Sequence, residues 1–176
     1  GLLTLQWAKI FGASTVVAVD IDDAKLDLAR KLGADITINS SKIDAVKRIN
    51  EITSGGAEVV AETAGNSITQ QQAILSTRKK GRVVFVGISH SRLHLDENTV
   101  EHILRGEISI RGSWNSYTAP FPGIAWKATI DFMTRGLINF KEMVSHVITL
   151  EDIADYLKGM AEQTISYNKI LVSFDD

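Results

Sequence analysis

Apolar residues between positions 1 and 112 alternate between two spacings. Short apolar or β-branched runs are typical of buried strands, and apolar residues three or four positions apart are typical of helices. The predicted strands are 15–19, 36–38, 58–61, 82–86 and 107–111, the first of them buried on both faces. The predicted helices are 2–11, 23–32, 41–52, 66–75 and 100–105. Strands that alternate with helices imply right-handed parallel crossovers, so the pattern predicts an α/β fold with a doubly wound (Rossmann) parallel sheet.

Capping residues mark several of the predicted helix ends. Asp22 is the expected N-cap of the second helix, and Ser41 with Asp44 resembles a capping box for the third. Gly12 and Gly33 stand where left-handed C-terminal caps are expected.

The rhythm changes after Gly112. An aromatic and proline-containing loop over 114–122 is followed by a helix over 124–134, an extended piece at 146–148, a helix from 151 and a strand over 169–174. We therefore expect two domains: the doubly wound domain over 1–116 and, over 117–176, a tail that belongs to a second domain.

Composition limits the possible partners. Of the 176 residues 44% are hydrophobic. No stretch approaches the roughly 20 uninterrupted apolar residues of a membrane span, and no basic region followed by an apolar run marks a signal peptide. The net charge of −2 provides no basic face for nucleic acid. We expect a cytoplasmic protein whose partners are small molecules or copies of itself. The lack of cysteine excludes thiolate catalysis and cysteine-based zinc sites within these residues.

Gly1 and Asp20 have the spacing of a dinucleotide-binding unit. The last glycine of such a turn allows helix and strand to pack closely, and an acidic residue about 20 positions later binds the ribose hydroxyls. A carboxylate at Asp20 would repel the 2'-phosphate of NADP, so the sequence favours NAD. Asp20 could instead be a loop carboxylate that caps the next helix. Lys25 could reach the same ribose or could be only solvated.

Two later turns follow predicted strands. Thr63, Ala64 and Gly65 follow one strand, and Gly87 with Ile88 follow the next. Ligands of open parallel sheets bind at these carboxyl ends, although glycines there can be plain turns.

Other polar residues give weaker signals. His90 and His94 have a spacing that would chelate metal on a helix, but the glycine and serines around them indicate a loop with exposed histidines. Glu62 could be a base near a cofactor. The basic run Arg78, Lys79, Lys80 and Arg82 is most simply a solvated edge.

Several segments together resemble the zinc-dependent medium-chain dehydrogenases, which include alcohol and sorbitol dehydrogenases. They are Gly1-Leu-Leu, Val17-Ala-Val-Asp20, Lys31-Leu-Gly-Ala-Asp35, Glu62-Thr-Ala-Gly65, Gly81-Arg-Val-Val-Phe-Val-Gly87 and Ser145-His146-Val147. Within the family, Gly112-Ser-Trp-Asn and Pro120-Phe-Pro-Gly123 followed by Trp126 are most similar to the members that act on a polyol phosphate. Thr63 stands where the family usually has cysteine.

The resemblance implies NAD-dependent oxidation of a secondary alcohol of a polyol or polyol phosphate, such as galactitol 1-phosphate to tagatose 6-phosphate. It implies a zinc ion, which lowers the pKa of the bound alcohol, with ligands outside this chain. No catalytic residue and no metal ligand is assigned within the chain. The cofactor-binding residues that it implies, together with those expected above, are Gly1, Leu2, Asp20, Ile21, Lys25, Thr63, Ala64, Gly87, Ile88, Ser113 and Trp114.

The resemblance also implies a homodimer or a dimer of dimers, paired through the strand that contains Ile108 and Ile110. The chain begins at glycine in an uncapped helix, so we expect it to be a fragment that lacks the N-terminal catalytic domain. A strand that precedes Gly1 would then lie between the strands 15–19 and 58–61, and these two should not pair directly.

Three alternatives stay open at this stage. A methyltransferase also grips a ribose with an acidic residue after its first strands, although the later turns disfavour it. A non-catalytic nucleotide-binding domain fits equally well, because every catalytic group is inferred. A sorbitol- or threonine-type zinc dehydrogenase would act on another substrate.

Overall fold

The structure, a computed structural model, describes residues 1–89, 91–114 and 119–174. These form two compact units, Gly1–Trp126 and Lys127–Asp176. The expected boundary between 116 and 117 lies outside the described residues, as does His90 of the histidine pair.

Helices and strands alternate through the first unit as the sequence pattern predicts. The elements are α1 (Leu2–Ile10), β1 (Val17–Asp20), α2 (Asp23–Lys31), β2 (Ile36–Asn39), α3 (Ala45–Ile52), β3 (Ala57–Glu62), α4 (Ser67–Leu75), β4 (Thr77–Phe85), α5 (Glu97–Gly106) and β5 (Ser109–Gly112). A further helix, α6 (Gly123–Thr134), spans the division between the units.

Every strand pair of this unit is parallel. β1 pairs with β2, so that Val17 lies opposite Ile36. β4 lies between β3 and β5, with Val59 opposite Arg82 on one side and Arg82 opposite Ser109 on the other. The predicted parallel α/β fold is therefore confirmed. No ladder joins β1 to β3 in the described part of the chain, as the strand-order prediction requires.

Two apolar clusters hold the sheets to their helices. Around β2, Ile38 (2% exposed) packs with residues of α3, and around β4, Val83 (0% exposed) packs with Ile74 of α4. Full burial of one such aliphatic side chain contributes roughly 1.5 to 3 kcal/mol. Both clusters pack strand residues against helices, so they hold in place the strands that carry the candidate site residues.

The expectation that the first strand is buried on both faces is wrong. Val19 of β1 is 40% exposed, and Val59 of β3 is 50% exposed. In the described chain each of these strands has a ladder partner on one side only. A strand with a free edge keeps side chains accessible that a neighbouring strand would cover.

Two local details also differ from the sequence predictions. Asp44, not Ser41, caps α3: its side chain accepts a hydrogen bond from the Lys47 N–H, whereas the Ser41 hydroxyl donates to Asn39. β4 begins at Thr77 instead of Arg82, because Thr77 already pairs with Ala57 before the register shifts. Asp22 and Asn66 cap α2 and α4 with their side chains.

The second unit contains a 3-10 helix (Lys141–Met143), β6 (Val144–Ile148), α7 (Ile153–Ala161) and β7 (Lys169–Val172). β6 and β7 pair in parallel, and Ile148 is buried. In the parts of the chain that are described, all helices are too short or too polar to cross a membrane.

Candidate cofactor site

The carboxyl ends of parallel strands lie on one edge of each sheet, and most of the predicted site residues follow these ends. Asp20 is the last residue of β1, and the turn from Thr63 follows β3. Gly87 follows β4, and Ser113 follows β5. The fold therefore places these residues where open α/β sheets bind their ligands.

Asp20 is held by the turn that follows it. Its Oδ1 accepts hydrogen bonds from the N–H groups of Ile21 (2.8 Å) and Asp22 (3.1 Å). Its Oδ2 accepts none from the described residues, and the side chain is half-buried. The carboxylate is therefore fixed in direction with one oxygen free to accept hydrogen bonds from a ligand.

The loop after β1 is held by a hydrogen-bond network, here called the polar latch, that was not predicted from the sequence: Asn39 and Lys42 bind Ile21 and Asp23. Asn39, which lies opposite Asp20 in the ladder, donates to the Ile21 carbonyl (3.2 Å) and to Asp23 (2.7 Å). Lys42 donates to the other oxygen of Asp23 at 2.6 Å. The Lys42 hydrogen bond, followed by that of Asn39, lowers the pKa of Asp23 below its usual value. The latch ties the loop after β1 to the end of β2.

The start of α1 carries unpaired backbone donors. Gly1 is the N-cap residue and provides no side-chain cap, while the Leu5 N–H donates to the Gly1 carbonyl at 2.9 Å. The N–H groups of the first helical turn have no carbonyl partner within the helix. The charges of Asp20 and Glu62 both act on the nitrogen of Gly1. The helix start therefore lies close to both carboxylates.

Glu62 organises the turn after β3. It is 3% exposed, and its Oε1 accepts from the N–H groups of Ala64 (2.7 Å) and Gly65 (2.8 Å) and from the Thr69 hydroxyl (2.8 Å). Its Oε2 is buried and has no hydrogen-bond partner among the described residues. The sequence raised Glu62 as a possible base, but the structure shows a carboxylate locked into a turn.

The turns after β3 and β4 touch at two glycines. The N–H groups of Val86 and Gly87 donate to the Glu62 carbonyl at 2.8 and 3.1 Å. A Cβ on Gly87 would overlap the backbone of Gly65, and a Cβ on Gly65 would overlap the Ile88 carbonyl. A Cβ on Gly1 would lie 3.1 Å from the Thr63 hydroxyl. The structure thus brings Gly1, Thr63 and Gly87 into one region.

The remaining predicted residues surround this region less closely. Ile21 (70% exposed), Ile88 (59%) and Trp114 (71%) present accessible apolar surface. The Ser113 N–H donates to the Phe85 carbonyl at 2.9 Å, which joins the ends of β4 and β5. No contact between Ser113 or Trp114 and Gly1 is among those described. Leu2 lies in the first turn of α1, Lys25 lies in the first turn of α2, and Ala64 is exposed.

The described residues do not include a cluster of three or more His, Cys, Asp or Glu side chains that could hold a metal ion. The described residues at this sheet edge have the donors and acceptors that suit a dinucleotide. Free N–H groups at a helix start suit a pyrophosphate, a directed carboxylate suits a ribose, and glycine turns admit a flat ring.

This combination of fold and strand-end residues is typical of the dinucleotide-binding domains of dehydrogenases. The family model for zinc-binding dehydrogenases matches residues 1–134. The chain belongs to this family of zinc-type alcohol and polyol dehydrogenases.

Two curated relatives are similar to nearly the whole chain. Galactitol 1-phosphate 5-dehydrogenase of Escherichia coli (strain K12) is 31% identical over 175 residues, which cover 98% of this chain and 50% of the relative. Sorbitol dehydrogenase of Bacillus subtilis (strain 168) is 33% identical over 174 residues, which cover 98% of this chain and 47% of the relative. The chain thus spans about half the length of the curated relatives it matches.

Solved structures agree with the fold. The crystal structure of galactitol-1-phosphate dehydrogenase from Escherichia coli has a TM-score of 0.86 at 30% identity, covering 97% of this chain and 49% of that one. A zinc-binding dehydrogenase from Sinorhizobium meliloti 1021, solved with bound NADP, has a TM-score of 0.85 at 29% identity, covering 97% of this chain and 48% of that one. The resemblance predicted from the sequence is confirmed.

Proposed function

We propose that this chain is the cofactor-binding part of an NAD-dependent polyol or polyol-phosphate dehydrogenase. The single observation that carries the proposal is the Asp20 carboxylate at the carboxyl end of β1, with Oδ1 bound to its own turn and Oδ2 without a partner among the described residues. In this proposal the first turn of α1, with Gly1 and Leu2, binds the pyrophosphate through backbone N–H groups. Bound NAD supplies the hydride acceptor.

The preference for NAD follows from charge. A free carboxylate oxygen at Asp20 accepts hydrogen bonds from the ribose hydroxyls and repels a 2'-phosphate. A similar dehydrogenase was solved with bound NADP, so the preference for NAD or NADP has to be argued for each member of the family. Lys25, in the first turn of α2, is a cation that could offset the repulsion, but among the described residues it forms no ion pair with Asp20.

The other proposed contacts lie along the same edge. Ile21, which is 70% exposed, covers one face of the adenine, and Asn39 holds the loop that carries it. Thr63, Ala64, Gly87 and Ile88, with the backbone of Ser113 and Trp114, surround the nicotinamide half of the cofactor. Their role is to bind and orient the ring.

Domain organisation is proposed on the same basis. We propose that residues 1–116 form the NAD-binding domain and that 117–176 belong to the catalytic domain. That domain would supply the zinc ligands and the groups that transfer the proton. The proposed assembly is a homodimer or a dimer of dimers, and the proposed location is the cytoplasm.

The proposed substrate is galactitol 1-phosphate, which would be oxidised to tagatose 6-phosphate. It is favoured by the 31% identity to the Escherichia coli galactitol 1-phosphate enzyme over 98% of this chain. Sorbitol is the second candidate, because a sorbitol dehydrogenase is 33% identical over a similar span. The test is a kinetic comparison of galactitol 1-phosphate, galactitol, sorbitol and L-threonine with the full-length protein and NAD. The highest kcat/KM should be found for galactitol 1-phosphate, and a higher value for any other member would reassign the substrate.

A further inference from the structure

The peptide group between Ile21 and Asp22 is held at both of its ends. Its carbonyl, which belongs to Ile21, accepts a hydrogen bond from the Asn39 amide at 3.2 Å. Its N–H, which belongs to Asp22, donates to Asp20 Oδ1 at 3.1 Å. A trans peptide group is planar, so its C=O and its N–H point in opposite directions. The direction that Asn39 gives to the carbonyl therefore also sets the direction in which the N–H meets Asp20.

The Asn39 amide is itself fixed by four hydrogen bonds. Its NH2 group donates to the Ile21 carbonyl and, at 2.7 Å, to Asp23 Oδ1. Its oxygen accepts from the N–H and the hydroxyl of Ser41 at 3.0 and 2.5 Å. An amide side chain has two N–H donors and an oxygen with two lone pairs, so these bonds use all of its positions. Rotation of the amide would break bonds to three neighbours.

The strand register brings Asn39 to the turn after β1. Asn39 lies opposite Asp20 in the ladder between β1 and β2, and the Ser40 N–H donates to the Asp20 carbonyl at 3.0 Å. The two strands are thus paired up to their carboxyl ends. The distance from Asn39 to the turn is therefore set by the sheet.

The ion pair of the polar latch contributes less to this geometry. The side chains of Lys42 and Asp23 are each 62% exposed, and pairs of this kind add little because water competes for both charges. Lys42 binds Asp23, whereas Asn39 binds the Ile21 carbonyl. Asn39 is therefore the member of the latch that acts on the peptide group beside Asp20.

We infer that Asn39 is a positioning residue that directs the Asp20 carboxylate toward the ribose and thereby strengthens the preference for NAD over NADP. The inference rests on the proposed NAD site and goes beyond it, because Asn39 touches no part of the cofactor in the proposal. Without the Asn39 amide the Ile21–Asp22 peptide group can turn, and Asp20 loses a charge-assisted hydrogen bond. Its Oδ2 then no longer points in one direction.

The experiment is a double-mutant cycle in the full-length protein, with the Kd of NAD measured by calorimetry. Asn39→Ala should raise the Kd by about tenfold, because the hydrogen bond between Asp20 and the ribose is weakened. In a protein that already carries Asp20→Ala, the same substitution should change the Kd by less than about twofold, because the group that Asn39 directs is gone. Equal effects in the two backgrounds would show that Asn39 does not act through Asp20 and would overturn the inference.

The cofactor preference provides a second readout. In Asn39→Ala the ratio of kcat/KM for NAD over NADP should fall by about fivefold, because a carboxylate that is free to turn repels the 2'-phosphate less. An asparagine that only stabilises the fold would weaken both cofactors alike. An unchanged ratio would therefore also contradict the inference.

Asn50→Ala is the matched control. Asn50 is another half-buried asparagine, and its amide donates to the carbonyls of Val46 and Leu75. Its replacement should lower the urea midpoint but change the Kd of NAD by less than about twofold. A rise in the Kd equal to that of Asn39→Ala would mean that loss of stability alone weakens binding, and the inference would fail.

Lys42→Met separates the amide from the ion pair. It removes the charge that pairs with Asp23 and leaves Asn39 in place, so the Kd should change by less than about twofold. An effect as large as that of Asn39→Ala would assign the positioning to the ion pair and contradict the inference.

The proposed function and this inference can fail separately. An unmodified protein that binds no NAD would remove both, whereas an unchanged Kd in Asn39→Ala would remove only the inference. If Asn39→Ala does not fold, a crystal structure of the unmodified full-length protein with NAD decides. The Asn39 amide nitrogen should lie within about 3.2 Å of the Ile21 carbonyl oxygen while Asp20 binds the ribose, and a distance beyond about 4 Å with the ribose still bound to Asp20 would refute the inference.

Discussion

Replacement of Asp20 should change which nicotinamide cofactor the enzyme prefers. Its Oδ1 is occupied by two backbone N–H groups, so Oδ2 alone determines the charge and hydrogen bonding that a ribose encounters. NADP places a phosphate with a charge of about −1.5 to −2 at that position. It also lacks the hydroxyl that would donate to the carboxylate.

The magnitude follows from two contributions. Unit charges about 4 Å apart interact by about 1 kcal/mol in water and by about 4 kcal/mol near a protein surface. Asp20 is half-buried, and the lower limit for a phosphate with nearly two charges is about 2 kcal/mol. Loss of one hydrogen bond to a charged group adds about 1.5 kcal/mol. The sum of about 3.5 kcal/mol predicts a ratio of kcat/KM for NAD over NADP of about 300.

The assay compares kcat/KM for both cofactors in the full-length enzyme. Asp20→Asn keeps an acceptor but removes the charge, so the ratio should fall by about 30-fold. Asp20→Ser with Ile21→Arg should bring the ratio below about 1, because arginine pairs with the phosphate. Asp22→Asn is the control: its side chain caps α2, and asparagine preserves the cap, so the ratio should change by less than about threefold. Equal use of both cofactors by the unmodified enzyme would refute the reasoning.

Three further predictions concern stability and assembly. Gly87→Ala should destabilise the protein by about 1 to 3 kcal/mol and weaken NAD binding, because the added Cβ overlaps the backbone of Gly65. Gly112→Ala is the control, since a Cβ there has no neighbour within 4 Å. It should change neither the free energy of unfolding nor the Kd of NAD. Hydrogen bonds from Lys9 and, to a lesser extent, from the Val16 N–H lower the pKa of Asp35. The ionised Asp35 therefore stabilises the folded protein above the ordinary pKa of about 4, and this stabilisation is lost as pH falls through the lower pKa of the folded state. Urea midpoints should therefore fall more steeply below about pH 4 in the unmodified protein than in Asp35→Asn, and parallel curves would contradict this. Ile110→Lys on the edge strand β5 should dissociate the proposed dimer in sedimentation experiments. An unchanged sedimentation coefficient would count against pairing through β5, as would an unmodified protein that is already monomeric.

Local chemistry made much of this fold predictable. Asp22 and Asn66 are strong N-cap residues, and the structure uses both as caps. Asp20 could be placed at a strand end because a short β-branched run precedes it. The exposed edge expected at Arg78 to Lys80 is also present. These features depend on residues close in sequence, where propensity and spacing are informative.

The missed features are a local hydrogen bond that competes with a cap and the burial of Glu62 in the assembled fold. Nothing in the residues around Asp44 shows that Ser41 will bond to Asn39 instead of capping α3. The burial of Glu62 and its bond to Thr69 arise only when β3, α4 and the turn between them are assembled. The position of Glu62 was a signal in the sequence for this turn. A carboxylate can accept hydrogen bonds from the N–H groups two and three residues later, here those of Ala64 and Gly65.

The most direct test of the proposed function is formation of NADH by the full-length protein with galactitol 1-phosphate as substrate. The absorbance of the reduced nicotinamide should rise with NAD and far more slowly with NADP at the same concentration. At limiting NAD it should no longer rise when Asp20 and Ile21 carry the Ser and Arg substitutions. Absence of NADH formation with every polyol and polyol phosphate tested, in a protein that calorimetry shows to bind no NAD, would contradict the assignment of this sheet edge as a cofactor site.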